Sequence, residues 1–288
     1  MIFNGLGNQM SQYAFFLSKR RHTKQCTAFY NTRFKDCHNG YELGRIFGIN
    51  CDKGIKHDCL QFLYRLADTN KLWNNIDIII KKSLKKIEEA KNYDFNPELL
   101  KPSPSKGINF YVGGWHSELN FISVKDEVKT VYQFPHIDNP QCEAVAKKIN
   151  ETENSVSVHI RRGDYLLTNP HGFYQFNGVS TQYYYREAMR KIESDFPNCV
   201  FFVFSDDLEW CKAQLNAPNI FFIDCNSGVD SWRDMYLMSI CKHHINANST
   251  FSWWGAWLAK KEGITICPKE FIRNVITKDI YPDQWIKM

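Results

Sequence analysis

Short apolar runs recur along the second half of the chain: VSVHI at 156–160, VFFVF at 200–204, IFFI at 220–223 and ITIC at 264–267. Their β-branched and aromatic content predicts strands, and helical-period patterns at about 181–194, 207–215, 231–241 and 251–261 fall between them. Strands alternating with helices predict an α/β fold with a parallel sheet wrapped on both faces, whose ligands bind at the carboxyl ends of the strands.

The first half is less regular. MIF reads as a very short first strand, NQMSQYAFFLSKRRH as a helix, CTAFYN as a strand, and INFYVGGW (108–115) as a strand ending in glycines. Residues 60–92 read as helical, and 94–106, with Pro97, Pro102 and Pro104, as loop. Within the helical stretch, KKSLKKIEEAKN (81–92) sets Ile80, Leu84 and Ile87 on one helical face opposite solvated lysines. A membrane-surface helix is the competing reading, and Glu88 and Glu89 dilute the charge it needs. A domain boundary is expected near 150, where CEAVAKKINETENS runs into VSVHI, which gives domains 1–152 and 153–288.

Composition supports two cores: 288 residues with 43% apolar content and 15% aromatics can bury both. Lys and Arg number 36 against 31 Asp and Glu, an excess too small and dispersed to coat a nucleic acid, so a local anionic ligand is the better expectation. Ten cysteines lack the CxxC spacing of a zinc site and read as buried thiols in a reducing compartment. No apolar run approaches the roughly 20 residues of a membrane span, and the N-terminus lacks a signal-peptide pattern. A soluble intracellular protein, or a soluble fragment of something larger, is expected.

HIRRGDY (159–165) concentrates charge where a buried parallel strand should end, the ligand edge of such a domain. An arginine fork donates paired hydrogen bonds and stays charged at any working pH, so Arg161 and Arg162 mark an anion site. The competing reading is a structural Arg162–Asp164 salt bridge; a strand-end position argues against RGD as an adhesion tripeptide. GLGNQMSQYA (5–14) is a glycine turn feeding a helix, with Met10 where a dinucleotide fingerprint needs glycine. Gly7 and Asn8 there can approach a phosphate or sugar, or Asn8 or Gln9 simply caps the helix.

ANSTFSWWGAW (247–257) places Ser249, Thr250 and Ser252 around a helix start suited to phosphate, while its aromatics read as core. In FSDDLEW (204–210), Ser205 or Asp206 is expected to cap the next helix, with a metal role for Asp206 and Asp207 as the alternative. Asp234, early on a helix, offers a carboxylate that matches the paired N–H donors of guanine's Watson–Crick edge, or is an ordinary first-turn acid. His243 and His244 read as structural residues near a strand.

Taken in order, GLGNQMSQYA, HIRRGDY, SDD and DMYLMSICKHHINANSTFSWWGAWL resemble glycosyltransferase family 11, the α-1,2-fucosyltransferases. The resemblance spans nearly the whole chain, although 40–110 carries no assignable motif. It implies a GT-B architecture, two Rossmann-like domains facing across a cleft. It also implies an inverting transfer of L-fucose from GDP-fucose to the 2-hydroxyl of a β-galactoside, with no metal and no cofactor. By the same resemblance Arg161 holds the β-phosphate, His159 and Asp234 lie near the guanosine, and Ser249 and Thr250 cradle the diphosphate. Gly7, Asn8, Arg162, Ser205 and Asp206 complete the donor set, and Asp164 is the candidate base, with His159 or no base at all as alternatives.

Only MIFN precedes Gly5 where members carry a longer strand, so a frayed or trimmed start is expected, and Ser11 replaces a common phenylalanine. A bacterial cytoplasmic enzyme acting on polysaccharide or O-antigen precursors, touching the inner membrane peripherally at most and binding no nucleic acid, is the implied setting. A fucosyltransferase of another linkage, α-1,6 or α-1,3, and a non-catalytic nucleotide- or sugar-binding module remain alternatives.

Overall fold

Parallel pairing organises both halves of the computed structural model, which describes residues 1–23, 25–35, 38–68, 83–167 and 174–288. The chain divides into two units, Met1–Phe134 and Pro135–Met288. The first unit contains α1 (Leu6–His22), α2 (Leu43–Phe47), α3 (Ile55–Asp68), β1 (Leu84–Glu88), β2 (Ile108–Val112) and α4 (Lys125–Val131). Strands β1 and β2 pair in parallel, Leu84 opposite Ile108 and Glu88 opposite Val112.

Two expectations for this half are corrected. Leu84–Glu88, in the middle of the lysine-rich run, forms strand β1, not a helix, because Leu84 packs with Phe29, Tyr64 and Phe110 while the backbone pairs with β2. Tertiary pairing overrides a short helical periodicity. Ile80, Lys81 and Lys82 lie outside the described residues. CTAFYN forms no named strand; Tyr30 makes a single parallel bridge to Ile2, which leaves the MIF strand equally short.

The second unit runs α5 (Pro140–Glu151), β3 (Ser155–Ile160), α6 (Gln182–Asp195), β4 (Val200–Ser205), α7 (Leu208–Gln214) and β5 (Ile220–Ile223). It continues with α8 (Trp232–Ile240), β6 (His243–Ile245), α9 (Thr250–Trp257), β7 (Thr265–Cys267) and β8 (Ile286–Lys287). Helix α5, read from the sequence as the end of the first domain, belongs to this unit.

All six strands are parallel, in the order β5-β4-β3-β6-β7-β8. The chain steps outward from β3 to β5, returns to lay β6 against β3, and steps outward again. That is the doubly wound order, with its switch point between β3 and β6. Val156, Val158, Phe201, Val203, Ile245 and Ile266 are fully buried in the sheet and pack against Tyr185, Ala188 and Ile192 of α6. Continuous apolar strands therefore mark a sheet covered on both faces.

Candidate active site

Two loops leave the switch point together. From β3 the chain enters Arg161 and Arg162 and then a short 3-10 turn, Gly163–Leu166; from β6 it passes through Asn246–Ser249 into α9. The Tyr165 hydroxyl donates to the Asn248 carbonyl at 3.1 Å and ties one loop to the other. Asn248 is buried and braced: its amide donates to the Phe176 and Phe271 carbonyls at 3.0 Å each, and its Oδ1 accepts from the Ser180 hydroxyl at 2.8 Å.

Arg161 is gripped from two sides. Its Nε donates to Asp164 Oδ1 at 2.9 Å, and a terminal nitrogen lies 3.2 Å from Asp206 Oδ2. Burial opposes its charge, but Asp206 and Asp164 outweigh burial and raise its pKa. A guanidinium has five N–H donors, so these carboxylates orient the fork and still leave donors for a ligand oxygen. Arg162 faces elsewhere: its Nε donates to Asp207 Oδ2 at 2.9 Å and its guanidinium lies 4.0 Å from the Trp210 ring centroid. The hydrogen bond from Arg162, followed by that from the Trp210 N–H, lowers the Asp207 pKa.

Several local expectations change. Asp164 pairs with Arg161, not with Arg162, because adjacent residues leaving a strand project oppositely. Asp207 caps α7, accepting from the Trp210 N–H at 3.1 Å; Asp206 instead accepts from the Arg162 N–H, and Ser205 Oγ accepts from the Asp207 N–H. Gly163 makes room for Asp206: a Cβ there would stand 2.6 Å from its Oδ2.

His159 is buried on β3, its Nδ1 lacks a hydrogen-bond partner, and its pKa falls to about 3 through burial and the nearby Arg161 charge. The ring is therefore neutral. Ser249 is the N-cap of α9, accepting from the Phe251 N–H at 3.3 Å, with Thr250 the first residue of the helix. Asp234 lies in the first turn of α8, and no hydrogen bond joins it to the arginine network. Burial pushes its pKa up to about 7 against the stabilising hydrogen bond from Asn226, whose amide donates at 2.7 Å.

Gly7 and Asn8 belong to the first unit, in the first turn of α1, where neither Asn8 nor Gln9 caps the helix. Gln9 is buried and ties the turn together, donating to the Asn4 and Gly40 carbonyls and accepting from the Glu42 N–H. The sequence reading missed Tyr165, Asn248, Ser180 and Asn226 as site residues. Tyr165 and Asn248 stood inside the quoted motifs, whereas Ser180 and Asn226 gave no signal.

Among the described residues nine cysteines are free thiols, and no helix is long and apolar enough to cross a membrane. The Glycosyl transferase family 11 model matches residues 56–288. The chain is 34% identical to an alpha-1,2-colitosyltransferase of Escherichia coli, covering all of this chain and 97% of that protein. It is 32% identical to the Escherichia coli O-antigen biosynthesis glycosyltransferase WbnK, covering all of this chain and 99% of that one. The solved structure of NodZ alpha-1,6-fucosyltransferase, co-crystallized with GDP, matches with a TM-score of 0.53 at 13% identity over 89% of this chain and 90% of that one, a likeness of fold. Two parallel sheets flanked by helices, the ordered motifs and these full-length relatives lead to one conclusion: the chain belongs to glycosyl transferase family 11.

Proposed function

We propose that the chain is an inverting glycosyltransferase that carries L-fucose from GDP-fucose to a hydroxyl of an acceptor sugar, the 2-hydroxyl of a β-galactoside being the first assignment. The observation that carries this reading is Arg161 at the carboxyl end of β3, oriented by Asp164 and Asp206 and tied through Tyr165 to the loop that opens α9. An oriented guanidinium and the free amides of a helix N-terminus form a diphosphate cradle. As the bond from fucose C1 to the β-phosphate oxygen breaks, negative charge grows on that oxygen, and a fixed cation stabilises it most in the transition state.

Asp234 is assigned to the guanine N–H edge, and Gly7 and Asn8 to the donor by motif match. His159, neutral with a pKa near 3, is a poor proton acceptor at neutral pH. Asp164 is kept as candidate base, with Oδ1 committed to Arg161 and Oδ2 left for the acceptor hydroxyl. Fold and motifs do not distinguish linkages, so α-1,6 or α-1,3 transfer is the competing assignment. The alpha-1,2-colitosyltransferase relative favours a second donor reading, a GDP-linked colitose.

The test is GDP release from GDP-fucose, GDP-colitose and GDP-mannose, with and without lactose, followed by NMR of the product. Release that needs GDP-fucose and rises with lactose supports the reading, and the product resonances fix the linkage. A preference for GDP-colitose transfers the assignment to the second donor. Tight GDP binding without turnover on any donor or acceptor favours a binding module, and absence of GDP binding sinks the reading.

A further inference from the structure

The carboxyl ends of β1 and β2 in the first unit carry a constellation that the donor reading leaves unused. Glu88 pairs with Val112, so Glu89 and Gly113 leave adjacent parallel strands side by side, the position where α/β sheets meet ligands. Glu89 is half-buried, and its Oε2 accepts two backbone donors, the N–H of Gly114 at 2.7 Å and of Trp115 at 2.9 Å. Among the described residues Oε1 takes no hydrogen bond. Burial raises the Glu89 pKa to about 7 even against those two donors, and the same burial, then the Glu89 charge, raises that of Tyr93.

The backbone is built around this carboxyl group. A Cβ at Gly113 would lie 2.5 Å from Glu89 Cβ and 2.8 Å from its Oε2, and a Cβ at Gly114 would strike the His116 ring. Tyr93 and Trp115 hold φ of 58° and 55°, a left-handed conformation that bulky residues rarely adopt and that clusters at ligand sites. Trp115 is locked by stacking on Phe15 at 4.1 Å, and the Tyr93 ring lies 4.9 Å from His116. A fixed carboxylate oxygen accepts hydroxyl hydrogen bonds, and an adjacent aromatic face covers the apolar face of a neutral sugar.

We propose that Glu89 and Tyr93 form a saccharide-binding site in the first unit, with Glu89 Oε1 accepting a hydrogen bond from a sugar hydroxyl. Its designation as the acceptor subsite rests on the transferase reading above; the binding itself does not. A purely structural carboxylate predicts a different outcome for one variant. In Glu89→Gln the amide carbonyl still serves both backbone N–H groups, while the free acceptor oxygen becomes an NH2 donor.

The experiment titrates wild type and Glu89→Gln with methyl β-galactoside, methyl β-glucoside, methyl α-mannoside and methyl N-acetyl-β-glucosaminide, by saturation-transfer NMR in the millimolar range. The expected result is saturable binding of at least one glycoside, weakened about tenfold or more by the variant, with a folded variant and unchanged GDP affinity. Failure of wild type to bind any of the four, or equal affinity in the variant, overturns the proposal. Glycoside binding through Glu89 without GDP binding would sink the donor reading and leave this one standing, and the reverse pattern would do the opposite.

Discussion

Arg161 shows how the proposed anion site is compatible with an acidic setting. Two carboxylates hold it, yet their grip fixes the fork and leaves N–H donors for a phosphate. Arg161→Ala is expected to lower turnover by roughly 10²–10³, about 3–4 kcal/mol of transition-state stabilisation, in a folded protein; near-full turnover would remove Arg161 from the role. Asp234 supplies a pH test. In the proposed guanine-binding role its carboxyl, lifted to about 7 by burial, must ionise to accept both N–H donors, so GDP affinity is expected to fall about tenfold between pH 8 and pH 6. Asp234→Asn, which cannot titrate, should flatten that dependence, and an identical pH profile in the variant would clear Asp234 of the assignment. The sequence named both residues because each sat at a predicted element end. It did not pair Arg161 with Asp206, which follows β4, and it gave no sign of Asn226, which lies in the β5–α8 connection eight residues before Asp234.

At the scale of elements, the start of α9 depends on braces distant in sequence. Asn248 satisfies the buried Phe271 carbonyl and the part-buried Phe176 carbonyl, so Asn248→Ala is expected to cost about 2–4 kcal/mol and to lower the melting temperature by about 5–15 °C, measured by scanning calorimetry. Helix α9 also lies close on α8 through Gly255, where a Cβ would stand 2.9 Å from Met238 Cβ. Gly255→Ala should destabilise by about 1–3 kcal/mol and weaken GDP binding, since both helices carry assigned donor residues; an unchanged denaturation midpoint would refute the packing argument. Strands β3, β4, β5 and β7 were legible because their runs are continuous and rich in β-branched or aromatic residues. His243–Ile245 is three residues long and two of them are histidines, and its role as strand β6 was hidden from periodicity.

For the molecule as a whole, buried titratable groups set the response to acid. His116, His159 and His244 are held near a pKa of 3 and His243 near 4 by burial, so each is neutral in the folded state and must stay so. Below about 6.5 the unfolded chain takes up those protons and stability falls as pH drops. Glu89 and Asp234 act in the opposite sense: their folded pKa values near 7 exceed the unfolded ones, so they lose stability as pH rises from about 4 to 7. Four histidines outweigh two carboxyl groups, and melting is expected at a lower temperature at pH 5 than at pH 7. The opposite order would show that one or more of these rings is solvated.

The sequence by itself determined that the second half is a parallel α/β sheet, because continuous apolar strands and helical periodicity are local signals, and it placed the charged motif at a strand end. It also carried the family's motifs in order. Only the tertiary structure decided that β6 lies against β3, which makes the exits of HIRRGDY and ANST neighbours, and that the run after Ser83 is a strand whose end delivers Glu89 to the GGW turn. The reason is physical: periodicity reports which face of an element is buried, whereas strand order and ion-pair choice arise from pairing between segments far apart in the chain.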